Sequence, residues 1–314
     1  MTFSFTSLGI ASAVPTLSRD QSAHVVNLHE RFYLIDCGEG CQKSLLRAGI
    51  SPLKIKEIFI SHIHGDHIFG LPALLSTNAL LGRREPLDIY APLNFAPLLQ
   101  FYKSYFGSEF TYEIRHKVVS GDSLELLLET PKAQIYSFPL NHRIACYGYL
   151  FKEKPPQRNV YKEAIERENL TFSEITTIKR GEDVVREDGK RVSSASLTYS
   201  PYAPRSFAYC SDTAPFEQLP TFVKGCNLIY HEATYMSDMA NSAQKRMHST
   251  AAQAAQCAKE GEVGALLLGH FSSRYSNLEP LLQEAKEIFP NSYIYQEGES
   301  FIIPLEKRNK NEKE

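Results

Sequence analysis

Three histidines and one aspartate lie within residues 61–67, whose sequence SHIHGDH directly follows the apolar run IFI. Imidazole nitrogens and carboxylate oxygens together suit zinc, and iron, manganese or cobalt can replace it. Residues two apart in an extended chain point the same way, so His62 and His64 can bind one metal ion. A turn after this pair would direct Asp66 and His67 to a second ion. A single histidine is usually structural, but this spacing is typical of a metal centre.

A pair of metal ions defines a class of chemistry but no single substrate. Two ions about 3.5 to 4 Å apart lower the pKa of a shared water and stabilise the attacking and leaving oxygens of a displacement at phosphorus. This chemistry suits phosphodiesters. It also suits lactams, thioesters and lactones, so the metal ligands alone leave the substrate open.

Short apolar runs alternate with amphipathic ones and predict the elements that hold these side chains. Buried strands are predicted at residues 3–8, 32–35, 58–60, 87–90, 134–138, 207–210, 228–230 and 265–268. Helices are predicted at residues 41–48, 71–80, 250–259 and 278–289. Sheets packed between outer helices fit this order, so the predicted fold class is α/β.

The composition is that of a globular protein. Of the 314 residues, 43% are hydrophobic and 22% are charged, which excludes wholesale disorder and supplies a sizeable core. The chain has 34 basic and 36 acidic side chains, a net charge of −2, so a nucleic acid would have to bind a local basic patch. No apolar run reaches the roughly 18 residues that cross a membrane.

The N-terminal sequence and the cysteines indicate the compartment. The sequence MTFSFTSLGIASAVPT has neither a basic region nor a long apolar stretch, so it differs from a secretory signal and we expect a cytoplasmic protein. The six cysteines are scattered, which favours reduced thiols. Cys37 and Cys41 are followed by no second pair at zinc-ribbon spacing, which argues against a structural zinc site there.

Residues 151–191 differ in composition from the rest of the chain. They carry ten basic and nine acidic residues, a Pro-Pro pair and few apolar side chains, so we expect them to project from the core. The segment is either a solvated excursion or a binding element. The charged tail 307–314, KRNKNEKE, is expected to be disordered. The main domain is therefore predicted to span residues 1–306.

The pattern H-x-H-x-D-H at a strand end resembles the signature of the metallo-β-lactamase superfamily. The resemblance implies an α/β (α+β) fold, a four-layer αββα sandwich with two Zn²⁺ ions per subunit at one edge. It also implies three more ligands from distant strand ends, namely His142, Asp212 and His270. By this comparison His62, His64 and His142 bind one metal, Asp66, His67 and His270 bind the other, and Asp212 bridges both.

Several motifs in order along the chain together resemble the ribonuclease Z family, endoribonucleases that remove 3′ trailers from precursor tRNA. The motifs are SLGIASAVPTLSRD (7–20), LIDCGEGCQ (34–42), SHIHGDHIFGLPALL (61–75), NHRIACYGY (141–149), SDT (211–213), HEAT (231–234), HST (248–250) and HFSSRY (270–275). Ala73 stands where that family usually has glycine. The resemblance implies one cut at the 3′ side of the discriminator region, which leaves a 3′-hydroxyl on the tRNA and a 5′-phosphate on the trailer.

The resemblance also implies roles for residues around the metals. In that family the glutamate of HEAT and the histidine of HST form a pair beside the scissile phosphate, here Glu232 and His248. A histidine held by a carboxylate can stay protonated, so His248 is the expected general acid for the departing ribose 3′-oxygen. Asp66 is the expected acceptor of the attacking water's proton. His248 could instead serve only the start of a helix near Ala251.

Two further residues have two interpretations each. Asp36 is expected to hydrogen-bond a ligand histidine, and the alternative is a purely structural turn. Arg274 in HFSSRY either orders the loop after His270 or contacts RNA.

The family carries a projecting arm after the GY element that holds tRNA away from the active site, and residues 151–191 occupy that place. The Gly-Pro motif common at the arm's tip is absent, and ENLTFSEITT (168–177) stands there instead. The arm's candidates for phosphate contact are Lys152, Lys154, Arg158, Lys162, Lys179 and Arg180. The resemblance also implies a homodimer, in which one subunit's arm holds the tRNA that the other subunit cuts.

Other functions remain open at this point. A hydrolase of small phosphodiesters or esters would share the metal centre, but HEAT, HST and the arm-like insertion argue against it. An RNA 3′ exonuclease is a closer alternative. A non-catalytic nucleic-acid-binding subunit would be expected to have lost metal ligands, and a di-iron redox protein would normally need a flavin domain.

Overall fold

The computed structural model describes residues 1–307. The strands are β1 (Phe3–Gly9), β2 (Ala23–Leu28), β3 (Arg31–Cys37), β4 (Ile55–Phe59), β5 (Leu87–Pro92), β6 (Ile114–Val119), β7 (Glu125–Glu129), β8 (Ala133–Pro139), β9 (Tyr147–Glu153), β10 (Asn159–Val160), β11 (Val184–Val185), β12 (Arg191–Val192), β13 (Thr198–Tyr199), β14 (Ser206–Cys210), β15 (Leu228–Glu232), β16 (Leu266–Gly269), β17 (Ser292–Tyr293) and β18 (Ser300–Ile302). The α-helices are α1 (Cys41–Arg47), α2 (Gly65–Ile68), α3 (Leu71–Leu80), α4 (Ala96–Phe106), α5 (Lys162–Arg167), α6 (Phe172–Lys179), α7 (Ser194–Leu197), α8 (Leu219–Phe222), α9 (Ala240–Arg246), α10 (Ala251–Glu260) and α11 (Glu279–Ile288).

Two large sheets form the frame of the site. Within residues 1–307 each has seven strands, in the orders β18-β1-β2-β3-β4-β5-β6 and β17-β16-β15-β14-β9-β8-β7. Strands β3 to β6 are parallel in the first sheet, and β14 to β17 are parallel in the second. Parallel strands end at the same edge of a sheet, so the loops that follow β3 and β4 lie together in the first sheet, and those that follow β14 and β16 lie together in the second.

Three hydrophobic cores separate four layers. The middle core joins both sheets and contains Phe5 and Phe59 from the first and Phe207 from the second. A second core includes Leu74 of α3 and packs helices against the first sheet. A third includes Ala254 of α10 and packs helices against the second sheet. Helices therefore cover the outer face of each sheet, and the predicted αββα arrangement is confirmed.

The chain divides into two compact units. The first comprises Met1–Lys152 and Ser206–Ile303, and the second comprises Glu153–Arg205 and the segment that begins at Pro304. The insertion predicted at 151–191 overlaps the second unit, which continues to Arg205. Most of the predicted charged tail, residues 308–314, lies outside the described residues.

The second unit has a small core of its own. Its buried side chains are Ala164, Leu170, Ile178, Val192 and Leu197. The unit also contains a buried ion pair, in which Glu153 Oε1 lies 2.7 Å from Arg205 Nη2 and the two side chains are 1% and 3% exposed. Helix α6 begins with a capping box, in which Thr171 and Glu174 exchange hydrogen bonds.

All six cysteines are buried free thiols, as predicted from their scattered positions. In the described part of the chain, none of the helices combines the length and hydrophobicity that crossing a membrane requires.

Candidate active site

The structure brings all seven predicted metal ligands together at the ends of strands. His62 and His64 follow β4, Asp66 and His67 lie in α2, and His142, Asp212 and His270 follow β8, β14 and β16. Their donor atoms form two groups within the first unit, one of His62, His64, His142 and Asp212 and one of Asp66, His67 and His270. A rigid sheet edge holds each loop, so the donors are positioned by the fold and not by each other.

The first group is an arrangement of converging imidazoles. His62 Nε2 lies 3.0 Å from His64 Nδ1, and His142 Nε2 lies 3.3 Å from the same atom. Asp212 Oδ2 is 3.6 Å from His62 Nε2. Nitrogens bound to one tetrahedral zinc ion at 2.0–2.1 Å are separated by about 3.3 Å, so these spacings fit a shared metal.

The second group has a similar geometry. His67 Nε2 lies 3.2 Å from His270 Nε2, which lies 3.3 Å from Asp66 Oδ2. Asp212 turns its other oxygen to this group, with Oδ1 3.1 Å from His270 Nε2. That oxygen is buried and accepts no hydrogen bond from the described residues, although His270 is close. A buried carboxylate oxygen is seldom left without a partner, so a cation shared by the two groups fits the site.

In two of the candidate ligands, the ring nitrogen that faces away from the centre also has a hydrogen-bond partner. His67 Nδ1 donates to Asp36 Oδ2 at 2.8 Å, and His142 Nδ1 donates to the carbonyl of Met247 at 3.0 Å. A proton held on Nδ1 leaves the lone pair of Nε2 directed into the centre. The tautomer that binds a metal is therefore fixed by the protein.

Asp36 is buried and supports the metal segment through its carboxylate, which accepts four hydrogen bonds. Besides His67, its carboxylate accepts the backbone N–H and hydroxyl of Ser61 at 2.8 and 2.9 Å and the hydroxyl of Tyr209 at 2.8 Å. The side chain thus joins the end of β3 to the metal segment and to β14. Its position favours the hydrogen-bonding interpretation of Asp36 over a purely structural turn.

Three residues of the site adopt a backbone conformation that favours glycine. Asp36, Met247 and His270 have φ angles of 55°, 61° and 59°. For residues with a Cβ atom the left-handed region costs roughly 1–2 kcal/mol each. The surrounding hydrogen bonds hold these residues in place, which is common at functional sites.

Charge and burial set the protonation of the centre. Burial lowers the pKa of His62, His64 and His142, which keeps their imidazoles neutral. Burial would raise the pKa of Asp66, but His67 and His270 hold it well below its usual range. Burial would lower the pKa of His67, but the carboxylates of Asp66, Asp212 and Asp36 raise it. Neutral imidazoles and ionised carboxylates are the forms that bind metal cations, so a metal ion would displace a proton from His67.

His248 and Glu232 form a pair beside the two groups. His248 Nδ1 donates to Glu232 Oε1 at 2.9 Å and lies 3.9 Å from Asp212 Oδ2. Burial lowers the pKa of His248, but the carboxylates of Glu232 and Asp212 outweigh it and raise the pKa to about 9. The imidazole is therefore protonated at neutral pH, with 15% of its side chain exposed.

The start of α10 is capped without His248. Thr250 is the N-cap, and its hydroxyl accepts the backbone N–H of Gln253, which completes a capping box. Thr250 therefore fills the capping role that was the alternative interpretation of His248. Its imidazole faces Glu232 instead.

Sequence reasoning missed a hydroxyl that joins this pair to the second group. The single proton of the Thr234 hydroxyl goes to Glu232 Oε2 at 2.5 Å, so Thr234 Oγ1 accepts from His270 Nδ1 at 3.0 Å. Thr234 is the last residue of HEAT, so the motif held the signal. Tyr209 had no such signal, because 173 residues separate it from its partner Asp36.

The six predicted RNA contacts of the arm are divided between the two units. Lys152 belongs to the first unit. The other arm residues, Lys154, Arg158, Lys162, Lys179 and Arg180, belong to the second unit. There Arg158 Nε donates to Thr198 Oγ1 at 2.6 Å, and Arg180 Nε lies 3.2 Å from Glu182 Oε1. These two guanidinium groups therefore already have partners within their unit.

Arg274 is exposed and supports the loop after His270. Its guanidinium carbon lies 5.2 Å from the ring centroid of Tyr235, and its Nε donates to Ser272 Oγ at 3.2 Å. These contacts are consistent with the loop-ordering interpretation.

The chain is similar over nearly its whole length to proteins named ribonuclease Z. It is 39% identical to that of Parabacteroides distasonis over 296 residues, which cover 94% of this chain and 97% of the relative. It is 41% identical to that of Cytophaga hutchinsonii over 304 residues, which cover 96% and 97%. A family profile described as "Anti-Pycsar protein Apyc1" matches residues 3–100.

Solved structures show the same fold. The short form of human tRNase Z superposes with a TM-score of 0.69 at 22% identity and covers 96% of this chain and 99% of its own. A metallo-β-lactamase fold protein from Bacillus subtilis superposes with a TM-score of 0.68 at 18% identity and covers 96% and 98%. At these identities the likeness concerns the fold alone.

Proposed function

This chain belongs to the ribonuclease Z family, and on that basis we propose that it is an endoribonuclease that removes the 3′ trailer of precursor tRNA. The proposed cut lies at the 3′ side of the discriminator region and leaves a 3′-hydroxyl on the tRNA and a 5′-phosphate on the trailer. The observation that carries the proposal is the protonated His248, held by Glu232, beside the two groups of candidate ligands. A hydrolase needs a proton donor for its leaving group at such a place.

The donor set fits divalent metals, and we propose two Zn²⁺ ions per subunit, for which Mn²⁺, Fe²⁺ or Co²⁺ can substitute. His62, His64 and His142 would hold one ion, Asp66, His67 and His270 the other, and Asp212 both. Bound there, the ions supply an activated water and stabilise charge on the attacking and leaving oxygens. The orphaned oxygen of Asp212 supports this assignment.

The side chains of the protein then perform the proton transfers. His248 donates its proton to the departing ribose 3′-oxygen, because its raised pKa keeps it charged at neutral pH. Glu232 orients that imidazole and keeps it protonated. Asp66 is the proposed acceptor of the attacking water's proton, because its carboxylate belongs to the second group of donors.

The proposal extends to partners and domains. The substrate is precursor tRNA, read through its backbone by local basic side chains, because the net charge of −2 gives no general attraction. We propose that residues 151–191 form the arm that holds it, that residues 1–306 form the catalytic domain, and that the cytoplasmic enzyme is a homodimer. The candidate contacts are Lys152, Lys154, Arg158, Lys179, Arg180 and Arg274.

Cleavage of a 3′-extended precursor tRNA with mapped product ends tests the function. The zinc-loaded wild type should make one cut near the discriminator base and leave a 3′-hydroxyl. Asp212→Ala should lose both metal and cleavage, whereas His248→Ala should keep its metal and lose most turnover. His116→Ala is the matched control, because His116 donates to the carbonyl of Ala91 outside both groups.

Three outcomes would contradict parts of the proposal. No cleavage by wild type that holds two metals would reject tRNA as the substrate, and small phosphodiesters and esters would be tested next. Stepwise shortening from the 3′ end would indicate an exonuclease. Wild-type kcat in His248→Ala would remove that residue from the mechanism.

A further inference from the structure

One large aromatic side chain next to the candidate ligands has no role in the chemistry above. Phe69 follows α2, two residues after His67, and its side chain is 64% exposed. It does not belong to the core that packs helices against the first sheet in the described part of the chain. Single exposed apolar side chains are common on protein surfaces, so the exposure of Phe69 gains meaning only from the place where its ring is held.

The ring is held against the backbone of the metal segment. A Cβ atom added at Gly65 would lie 2.2 to 2.8 Å from three ring carbons of Phe69, so only glycine lets the ring lie there. Gly65 stands between His64, which belongs to the first group of donors, and Asp66, which belongs to the second. The ring of Phe69 is therefore placed beside both groups.

The segment that carries the ring is anchored on its other side as well. Gly70 donates its N–H to the carbonyl of Cys37 at 2.9 Å, and a Cβ atom at Gly70 would lie 1.9 Å from the carbonyl oxygen of Gly38. Close backbone packing at both glycines fixes Phe69 relative to β3. A ring held in this way loses little entropy when a flat ligand stacks on it.

We propose that Phe69 stacks on the base of a nucleotide that flanks the scissile phosphate. The inference rests on the proposed function, in which an RNA strand passes the two groups of donors. A strand must present unpaired nucleotides to be cut there, and every base has a face that can stack on an aromatic ring. Such stacking strengthens binding by roughly five- to 150-fold per base without selecting its identity.

Substitution at Phe69 tests the stacking directly. Phe69→Leu keeps an apolar side chain and removes the ring, Phe69→Trp keeps a ring, and Phe101→Leu is the control because Phe101 on α4 is also exposed, at 54%. We expect Phe69→Leu to raise KM for precursor tRNA roughly five- to 150-fold, with a smaller effect on kcat, whereas Phe69→Trp restores KM. Phe101→Leu should leave KM unchanged.

A fluorescent base provides a readout that does not depend on turnover. In a zinc-loaded His248→Ala background, which is expected to bind precursor tRNA with little turnover, 2-aminopurine on either side of the cut should lose fluorescence with Phe69 present or with Phe69→Trp added, because stacking quenches the base. Phe69→Leu should bind with less quenching at the same position. The metal content and the sedimentation of each variant are also measured, to detect a loss of metal or a change in oligomeric state.

The outcomes separate this inference from the proposed function. Wild-type KM and quenching in Phe69→Leu, with correct cleavage by wild type, would reject the stacking and leave the function intact. Absence of cleavage by metal-loaded wild type would reject the function itself. A raised KM that accompanies lost metal or a change from dimer to monomer would overturn the inference and assign Phe69 to structure or to a contact between two copies.

Discussion

Replacing Glu232 by glutamine separates charge from position at the proposed acid. Glu232 is fully buried, and its oxygens accept hydrogen bonds from Thr213 N, Thr234 N, the Thr234 hydroxyl and His248 Nδ1. Glutamine has nearly the same shape but no charge, and its amide oxygen can still accept from Thr213 N and His248 Nδ1. Its amide nitrogen would face Thr234, which loses an acceptor. The substitution therefore removes the largest influence that raises the pKa of His248.

The size of the effect follows from that pKa. The general acid works in its protonated form, so activity is full below the pKa of His248 and is lost as pH rises through it. With a pKa of about 9 nearly all His248 is charged at pH 8. If the pKa returns to the ordinary histidine value of about 6.5, only about 3% is charged at pH 8, and the rate falls roughly 30-fold. At pH 6 the same loss is less than about twofold.

Single-turnover cleavage of precursor tRNA from pH 5.5 to 9.5 measures this difference. Wild type and Glu232→Gln are compared at the same metal content, so the difference in rate reports the loss of the carboxylate charge. His116→Ala serves as the control, because His116 donates to the carbonyl of Ala91 outside the site. An equal loss at pH 6 and pH 8 in Glu232→Gln would refute the reasoning and leave Glu232 a purely positional role.

Two other substitutions test support for the site and for the second unit. Asp36→Asn should weaken metal binding roughly 10- to 100-fold, because His67 loses its charged acceptor. Competition with a chelator measures the metal affinity, and an unchanged affinity would show that Asp36 serves the turn alone. Glu153→Ala should lower the free energy of unfolding by roughly 3–5 kcal/mol, because it breaks a buried ion pair with Arg205. Calorimetry checks it, and an unchanged melting temperature would show that Arg205 finds water or another acceptor.

The metal segment and its helix were the most predictable parts of the protein. Helix α3 lies at Leu71–Leu80 as predicted, because its apolar residues and the preceding glycine are local signals. Strand β4 was predicted at residues 58–60 but lies at Ile55–Phe59. The apolar run continues through Ile60, whose N–H still bonds to the carbonyl of Tyr90 in β5 but whose carbonyl accepts the hydroxyl of Tyr149.

Elements with mixed exposure escaped prediction. Helix α4 buries Leu99 while Phe101 and Tyr105 face solvent, so its apolar residues do not mark one face. The segment 151–191 was expected from its charge to project from the core, and the small core of the second unit, which includes Leu170 and Ile178, was not predicted. That core is formed by five buried apolar side chains.

Hydrogen bonds between distant residues could not be predicted at all. The contact of Tyr209 with Asp36 depends on how the two sheets face each other, which no short stretch of sequence records. The same holds for the bond from His142 to the carbonyl of Met247. A family motif can indicate which residues form the site, but the acceptor of each hydrogen bond depends on how the chain packs.

The left-handed backbone at the site also indicates where this protein could be made more heat-resistant. At Asp36 and His270 the site uses the side chain, so glycine there would remove a functional group. At Met247, which ends α9, the site uses only the carbonyl oxygen that His142 contacts. Glycine is the usual residue at a left-handed helix end, and it retains that oxygen. Engineering for thermal tolerance would therefore begin at position 247 and leave positions 36 and 270 unchanged.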